Sequence, residues 1–141
     1  MRAKRSGFTL VELAVVVVII GVLAAFAVPR FMASVERSKA AEAFNYLSAV
    51  QAAQERYHAR QGTYAAELKD LDIKMTVPKY FTPGSVAAGK DGTLESSWTL
   101  TLTRVGASAG YGAYTVTFTE EGFDKDTSTI TEKADINPMQ T

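Results

Sequence analysis

The side chain whose placement most invites chemistry is Glu12. It stands in an apolar run from Phe8 to Val28 in which Thr9 is the other polar residue. A carboxylate inside a segment of this kind costs about 2.5 to 3.5 kcal/mol on insertion scales, and less near an interface, so it needs a partner or a purpose. The nearest cation before it in the sequence is Arg5. A cut between Gly7 and Phe8 would create a new ammonium four residues ahead of Glu12. That amine would lie near the carboxylate of its own chain, or of an adjacent helix shifted by about one turn. Packed helices could then neutralise each Glu12 against a neighbour's amine. The penalty on an unpaired charge in a low-dielectric bundle would set the register between them.

Elsewhere the residue types offer little catalysis. His58 is the single histidine, placed at the exposed end of a helical pattern, where a solvated or tyrosine-packed ring is the simplest reading. No Ser/His/Asp arrangement, glycine-rich phosphate loop or metal-ligand spacing is present, so neither an enzyme nor a cofactor is expected. Asp124, Asp126 and Ser128, with Glu132 and Asp135 beyond, resemble the opening of an oxygen-rich calcium loop. Thr129 stands where the sharp turn needs glycine, and Asp135 where a glutamate usually closes the loop, which leaves a weak candidate beside a plain polar turn. Tyr46, Tyr57, Tyr64, Tyr80, Phe81, Tyr111 and Tyr114 are first of all core and interface material.

The element that must position Glu12 is a helix. Phe8 to Val28 would run about 31 Å at 1.5 Å per residue, enough to cross a hydrocarbon core. Arg2, Lys4 and Arg5 precede it, which by the positive-inside rule keeps the N-terminus cytoplasmic and exports everything after Pro29. A secretory signal cut after Ala25-Phe26-Ala27 would leave Glu12 unexplained, and its apolar stretch would be long. An ordinary single-pass anchor would need neither Gly7-Phe8 nor the acid. The helix is expected to continue to about Arg60, with a kink or local unwinding at Pro29 and a second weak point at Gly21. From Phe31 charged residues appear, and Phe31, Val35, Ala40, Ala43, Phe44, Leu47, Val50 and Tyr57 form one apolar face. Glu55, Arg56 and Arg60 lie across it, and Gly62 suits the left-handed residue that ends a helix.

Lys4-Arg5-Ser6-Gly7 followed by Phe8-Thr9-Leu10-Val11-Glu12 resembles the class III leader and N-terminal motif of type IV pilins and their pseudopilin relatives. The specific match covers about residues 4 to 32. The resemblance implies cleavage after Gly7 by a prepilin peptidase, N-methylation of Phe8, and assembly into a helical homo-oligomeric filament. Glu12 would set register, and Gly21 and Pro29, at the family's usual helix-breaking positions, would supply compliance. It also implies an inner-membrane assembly platform and an ATPase as partners, with membrane lipid around the helix before assembly. The subunit would sit in the inner membrane first, and in a surface pilus or periplasmic pseudopilus afterwards. A pseudopilin of a type II secretion system is the same-family alternative, and an anchored binding module that never polymerises is the alternative of another class.

The totals agree with one exported domain of roughly 110 residues. The chain has 15 basic and 15 acidic residues, and removing Met1 to Gly7 leaves 12 basic against 15 acidic, so no specific nucleic-acid partner is expected. There is no cysteine. Many type IV pilins close their C-terminal loop with a disulfide; here that region must be held by packing and hydrogen bonds alone. The expected layout is a leader at 1–7, a membrane and filament-core half-helix at 8–30, and a globular part at 31–141. The latter divides into an amphipathic half-helix 31–61, a connection 62–96, a sheet 97–132 and a tail 133–141. Thr63 to Leu71 could form a short helix. Trp98, Leu100 and Leu102 alternate with threonines, as do Tyr114, Val116 and Phe118, which predicts two half-buried strands joined across Gly106–Gly110. A third strand is expected around Ile130, from Thr127 to Thr131. The fold class is α+β, a long N-terminal helix on a small antiparallel sheet of about three to four strands.

Overall fold

The computed structural model describes residues 6–140; Arg2, Lys4 and Arg5, the cations of the leader, lie outside that range. Helix α1 (Leu10–Gln61) spans 52 residues. Thr9 caps its start in extended conformation, and Gly62 ends it at φ 74, donating its N–H to His58 O at 2.8 Å. Only a residue without a side chain enters that left-handed region freely, which is why the helix stops at Gly62. Gly21 and Pro29 both lie inside α1. The unwinding expected at Pro29 is therefore not found in the isolated subunit. A proline removes one backbone donor, and the intact turns on either side can hold the helix through that gap.

The second half of α1 buries Ala40, Ala43, Phe44, Leu47, Val50 and Ala53 along one face, and the first half buries nothing. That face meets a five-stranded antiparallel sheet, so the core is helix on sheet, α+β as expected. The strands are β1 (Phe81–Pro83), β2 (Ala87–Ala88), β3 (Trp98–Arg104), β4 (Thr115–Thr119) and β5 (Gly122–Phe123). Their order is β1-β3-β4-β5, with β2 pairing the other end of β3 on β1's side. In β3 every second residue is buried, ending with Arg104, and the threonines between face outward. Thr101 and Thr117 are directly opposite across β3 and β4, with their hydroxyls 2.8 Å apart.

Three expectations need correction. Thr63 to Leu71 contributes only a 3-10 turn at Leu68–Asp70, because the chain there is stitched to α1 instead: Gln54 donates to Ala65 O at 3.0 Å and accepts from Ala65 N–H at 2.8 Å. The sheet starts earlier than residue 97, since β1 and β2 lie in the stretch read as a connection. Thr127 to Thr131 is no strand; Thr129–Glu132 is a 3-10 turn with Ile130 buried. The physical reason is visible at the edge of β4. Its Thr115 and Thr117 N–H groups donate to the hydroxyls of Thr129 and Ser128, both at 2.8 Å, so side chains supply the acceptors a further backbone strand would have offered. The C-terminal segment then packs by Ile136 and Asn137, both buried, with Tyr111 donating to Asp135 and Arg37 to Gln140 O. Packing and hydrogen bonds hold it, as the absence of cysteine requires.

Candidate functional site

Ser6 to Thr9 precede the helix without regular structure and are exposed, Phe8 at 81%. The Gly7–Phe8 bond therefore lies in open backbone directly ahead of the first turn. A Cβ built on Gly7 meets nothing within 4 Å, so the fold itself makes no demand for glycine there. Thr9 and Glu12 form a reciprocal cap: Thr9 N–H donates to Glu12 Oε2 at 2.8 Å, and Glu12 N–H donates to Thr9 Oγ1 at 3.2 Å. Two of the orphan donors of the helix start are thus satisfied. Thr9 escaped the sequence reading, although Thr-x-x-Glu ahead of an apolar run is the capping-box signature. Glu12 consequently has a local partner before any neighbour arrives, and one carboxylate oxygen remains outside that hydrogen bond.

From Leu10 to Val28 the side chains stand out on all sides with nothing packed on them, and the helix is long and apolar enough to cross a membrane. Gly21 likewise has open space where a Cβ would go. Neither Glu12 nor Gly21 is thus explained by a contact inside the subunit beyond the cap.

A second constellation, which the sequence reading missed, joins this helix to the sheet. Glu36 and Arg104 are 1% exposed each. Arg104 Nε donates to Glu36 Oε1 at 2.5 Å and Nη2 to Oε2 at 3.1 Å, a two-pronged pair across 68 residues. Tyr114 OH donates to Glu36 Oε1 at 2.8 Å, and Lys39 Nζ stands 3.6 Å from Oε2. The rest of the guanidinium is used by Val105 O and Ala107 O. Every strong polar group is partnered, the condition for tolerating a buried charge pair. Burial pushes the Glu36 carboxyl up, but hydrogen bonds from Arg104 and Tyr114 and the charges of Arg104 and Lys39 outweigh it and hold it below its ordinary value. Burial, then the hydrogen bond to Glu36, raises the Tyr114 hydroxyl well above the usual range. A signal did exist: Glu36 lies four residues before Ala40, on the stripe that continues through Ala43, Phe44 and Leu47.

The remaining candidates resolve into structural roles. Asp124 anchors a turn, accepting from Asp126 N–H at 3.0 Å and from Thr127 Oγ1 at 2.8 Å, and Ser128 Oγ donates to Asp124 O while accepting from Thr117. The Thr127 hydroxyl bond is the main reason the Asp124 carboxyl sits below its ordinary value. The oxygens of Asp124 and Ser128 thus face inward to the turn. Among the described residues no group of three or more His, Asp or Glu side chains is placed to hold a metal ion. His58 stacks on Tyr64 with ring centroids 4.4 Å apart, and its Nε2 lies 2.8 Å from Glu95 O. Tyr46, Tyr64, Phe81 and Tyr114 are core residues.

Comparison with known proteins agrees with this geometry. A family model described as "Prokaryotic N-terminal methylation motif" matches residues 2–28, and one described as "Type IV minor pilin ComP, DNA uptake sequence receptor" matches residues 29–131. The chain is 34% identical over 112 residues to the fimbrial protein EcpC of Eikenella corrodens, covering 78% of this chain and 71% of EcpC. It is 44% identical over 62 residues to the type IV major pilin protein PilA of Myxococcus xanthus, covering 44% of this chain and 28% of PilA. It is also 36% identical over 77 residues to the type II secretion system core protein G of Pseudomonas aeruginosa, covering 55% of this chain and 54% of that protein. With both the N-terminal segment and the head matched by family models, and with an exposed apolar half-helix joined to a helix-on-sheet head, the chain belongs to the type IV pilin family and is a structural pilus subunit, not an enzyme.

Proposed function

We propose that the chain is a prepilin, cut between Gly7 and Phe8, methylated on the Phe8 amine, and polymerised through the first half of α1. The observation that carries this reading is an apolar half-helix left wholly uncovered by its own domain, bearing one carboxylate a single turn from an open Gly7–Phe8 bond. Before assembly that surface lies in membrane lipid, with the N-terminus cytoplasmic. In the filament it lies against other subunits. Lipid tails are as apolar as leucine, so moving between the two states changes little hydrophobic energy. The partners are then a prepilin peptidase and N-methyltransferase, an assembly platform with its ATPase, and further copies of this chain. Glu12 pairs with a neighbour's Phe8 amine to set register, and Gly21 and Pro29 let the packed helix yield. The head's match to EcpC and to the minor-pilin model supports a pilus over a type II secretion pseudopilus.

Intact mass and N-terminal sequencing of protein recovered from membranes or sheared fibres test this directly. The expected chain starts at methylated Phe8. A start at Val28 would mean a secreted soluble domain, and an uncut chain from cells with active peptidase would mean a plain anchor. Because Gly7 is sterically free in the subunit, Gly7→Val is expected to leave folding and insertion unchanged while the uncut mass accumulates.

A second reading rests on the family model over residues 29–131, whose description names a DNA uptake sequence receptor. We rank it second on charge: beyond Val28 the chain carries 12 basic and 14 acidic residues, so no net positive charge favours a polyanion. Gel shift separates the two. The structural reading expects only sequence-independent retardation that disappears by about 0.15 M salt. Preference for one duplex over its scrambled form at that salt would favour the receptor.

A further inference from the structure

Ala33 is the first residue of α1 that the head covers, half-buried against the core. It stands five residues beyond Val28, about 7.5 Å along the axis. The clasp of Glu36, Arg104 and Tyr114 begins three residues higher. Helical side chains lean toward the N-terminal end, which carries the Glu36 carboxylate down again. Strand β3 runs from Trp98, beside Tyr64 at the far end, to Arg104 at this one. It leads straight into the hairpin 105–113, whose Ala107 O is bound by the same guanidinium. The hairpin therefore forms the underside of the head, beside the helix as it leaves the apolar run.

That underside is apolar and short of charge. From Val105 to Ala113 the hairpin has no charged residue, and it includes Tyr111, a residue type favoured at membrane interfaces. Part of its backbone polarity is satisfied from within. Arg104 binds the Val105 and Ala107 carbonyls, and Ser108 accepts from Tyr111 N–H at its carbonyl and from Gly112 N–H at its hydroxyl. Val105 is exposed, as are Phe31 and Met32 on α1 and Met139, next to the Gln140 carbonyl that Arg37 holds. The head's other exposed large apolar residues, Met75 and Val77, lie higher, on the stretch descending from Asp72, paired with Arg56, to Tyr80. The charges nearest the underside are of both signs, Arg37, Lys79 and Lys133 with Glu42, Glu132 and Asp135, so no lipid of one charge is demanded.

A bilayer's polar layer is about 5 to 7.5 Å deep on each side of a hydrocarbon core of about 30 Å. With Phe8 to Val28 in that core, Ala33 stands at the outer limit of the polar layer. A helix tilt of about 20° lowers a hairpin about 10 Å to one side by about 3 Å more. We infer that Phe31, Met32, Val105, Met139 and the 105–113 hairpin dip into the zwitterionic headgroup layer of the membrane that holds α1. The inference rests on the proposed insertion of the first half of α1. Lipid is the occupant because this surface continues the apolar span, past a single Arg30 whose long side chain can reach phosphates. The contact fixes how the head is turned and tilted over the membrane before the subunit is drawn out, since interfacial anchors rather than span length set the tilt.

Because the chain has no cysteine, a fluorophore on a single introduced cysteine reports one position. The full-length chain is labelled through Ala107→Cys or Ala113→Cys on the hairpin, both exposed, and reconstituted at high dilution in phosphatidylcholine vesicles. The reference label is Ala66→Cys, exposed beside the Ala65 that Gln54 holds, about 27 Å above Glu36 along α1. A lipid with a quencher on its headgroup should quench both hairpin labels at least about threefold more than the reference. Adding Val105→Asp with Met139→Asp should bring the Ala113→Cys label down to the reference level. Equal quenching at 66, 107 and 113, or a label at 113 indifferent to the two aspartates, would overturn the inference. A Val18→Cys label keeps the contact apart from insertion. If that label is open to an aqueous quencher, insertion fails and the inference falls with it. If it is shielded while those at 107 and 113 match 66, the headgroup contact alone is wrong.

Discussion

Replacing Glu36 with alanine is expected to destabilise the head by about 3 to 5 kcal/mol, the usual consequence of stranding one half of a buried ion pair. Arg104 would keep Val105 O and Ala107 O but lose the Glu36 carboxylate in a site 1% exposed, and Tyr114 OH would lose its acceptor. Against a typical domain stability of about 5 to 15 kcal/mol, that loss brings the subunit near unfolding. Thermal melting of the full chain in detergent reads it out. The double change Glu36→Met with Arg104→Met should recover most of the loss, since well-packed apolar substitutes for a buried pair are often neutral or better. A Glu36→Ala chain melting within a degree or two of the parent would show that the pair is already solvated. The pH dependence has a definite sign. Because the folded carboxyl titrates below its ordinary 4.5, its contribution is complete above that value and is lost as pH falls through the lowered value. Acid below about pH 4.5 should therefore weaken the parent and leave the double variant less affected.

Glu12→Ala should abolish fibres while leaving the subunit inserted as well as the parent, or better, because removing a carboxylate from an apolar span relieves about 2.5 to 3.5 kcal/mol. Its effect on the isolated helix is small by comparison. The capping-box bond from Thr9 N–H is lost, but Thr9 Oγ1 still accepts from residue 12. Glu12→Gln separates charge from cap: a neutral amide retains an acceptor for Thr9, so continued loss of fibres would assign the defect to the ion pair with a neighbour's amine. Fibre counts by electron microscopy, with subunit amount in the membrane as control, settle both variants. Fibres of normal number from Glu12→Ala would leave the acid with its capping role alone.

How much was legible in the chain follows from how local each signal is. The long helix was readable because its periodicity persists for dozens of residues and Gly62 stops it. Strands β3 and β4 were readable because threonine alternates with large apolar residues over whole strands. Strands β1, β2 and β5 have three, two and two residues, too few for any alternation to register. Ile130 is apolar and buried, but burial of one residue does not distinguish a strand from a 3-10 turn. That choice was made by Ser128 and Thr129, whose hydroxyls took the edge of β4. Gly7, Phe8 and Glu12 stand out because a carboxylate in an apolar run is a local anomaly, whereas Glu36 was hidden because a charged residue on a helix reads as solvated until its partner 68 residues away is known.

That separation has a consequence for the order in which the subunit can fold. If α1 enters the membrane first, with the head exported behind it, the spine emerges while β3 and β4 are still being delivered. Glu36 must then wait, hydrated, until Arg104 and Tyr114 arrive. Non-local pairings of this kind form late, because loop closure must come before the contact rewards it. The clasp between spine and sheet thus acts as a completion check: a head truncated or stalled before Tyr114 retains an open carboxylate and an uncovered apolar stripe. Only a head delivered through Tyr114 closes that carboxylate and covers the stripe.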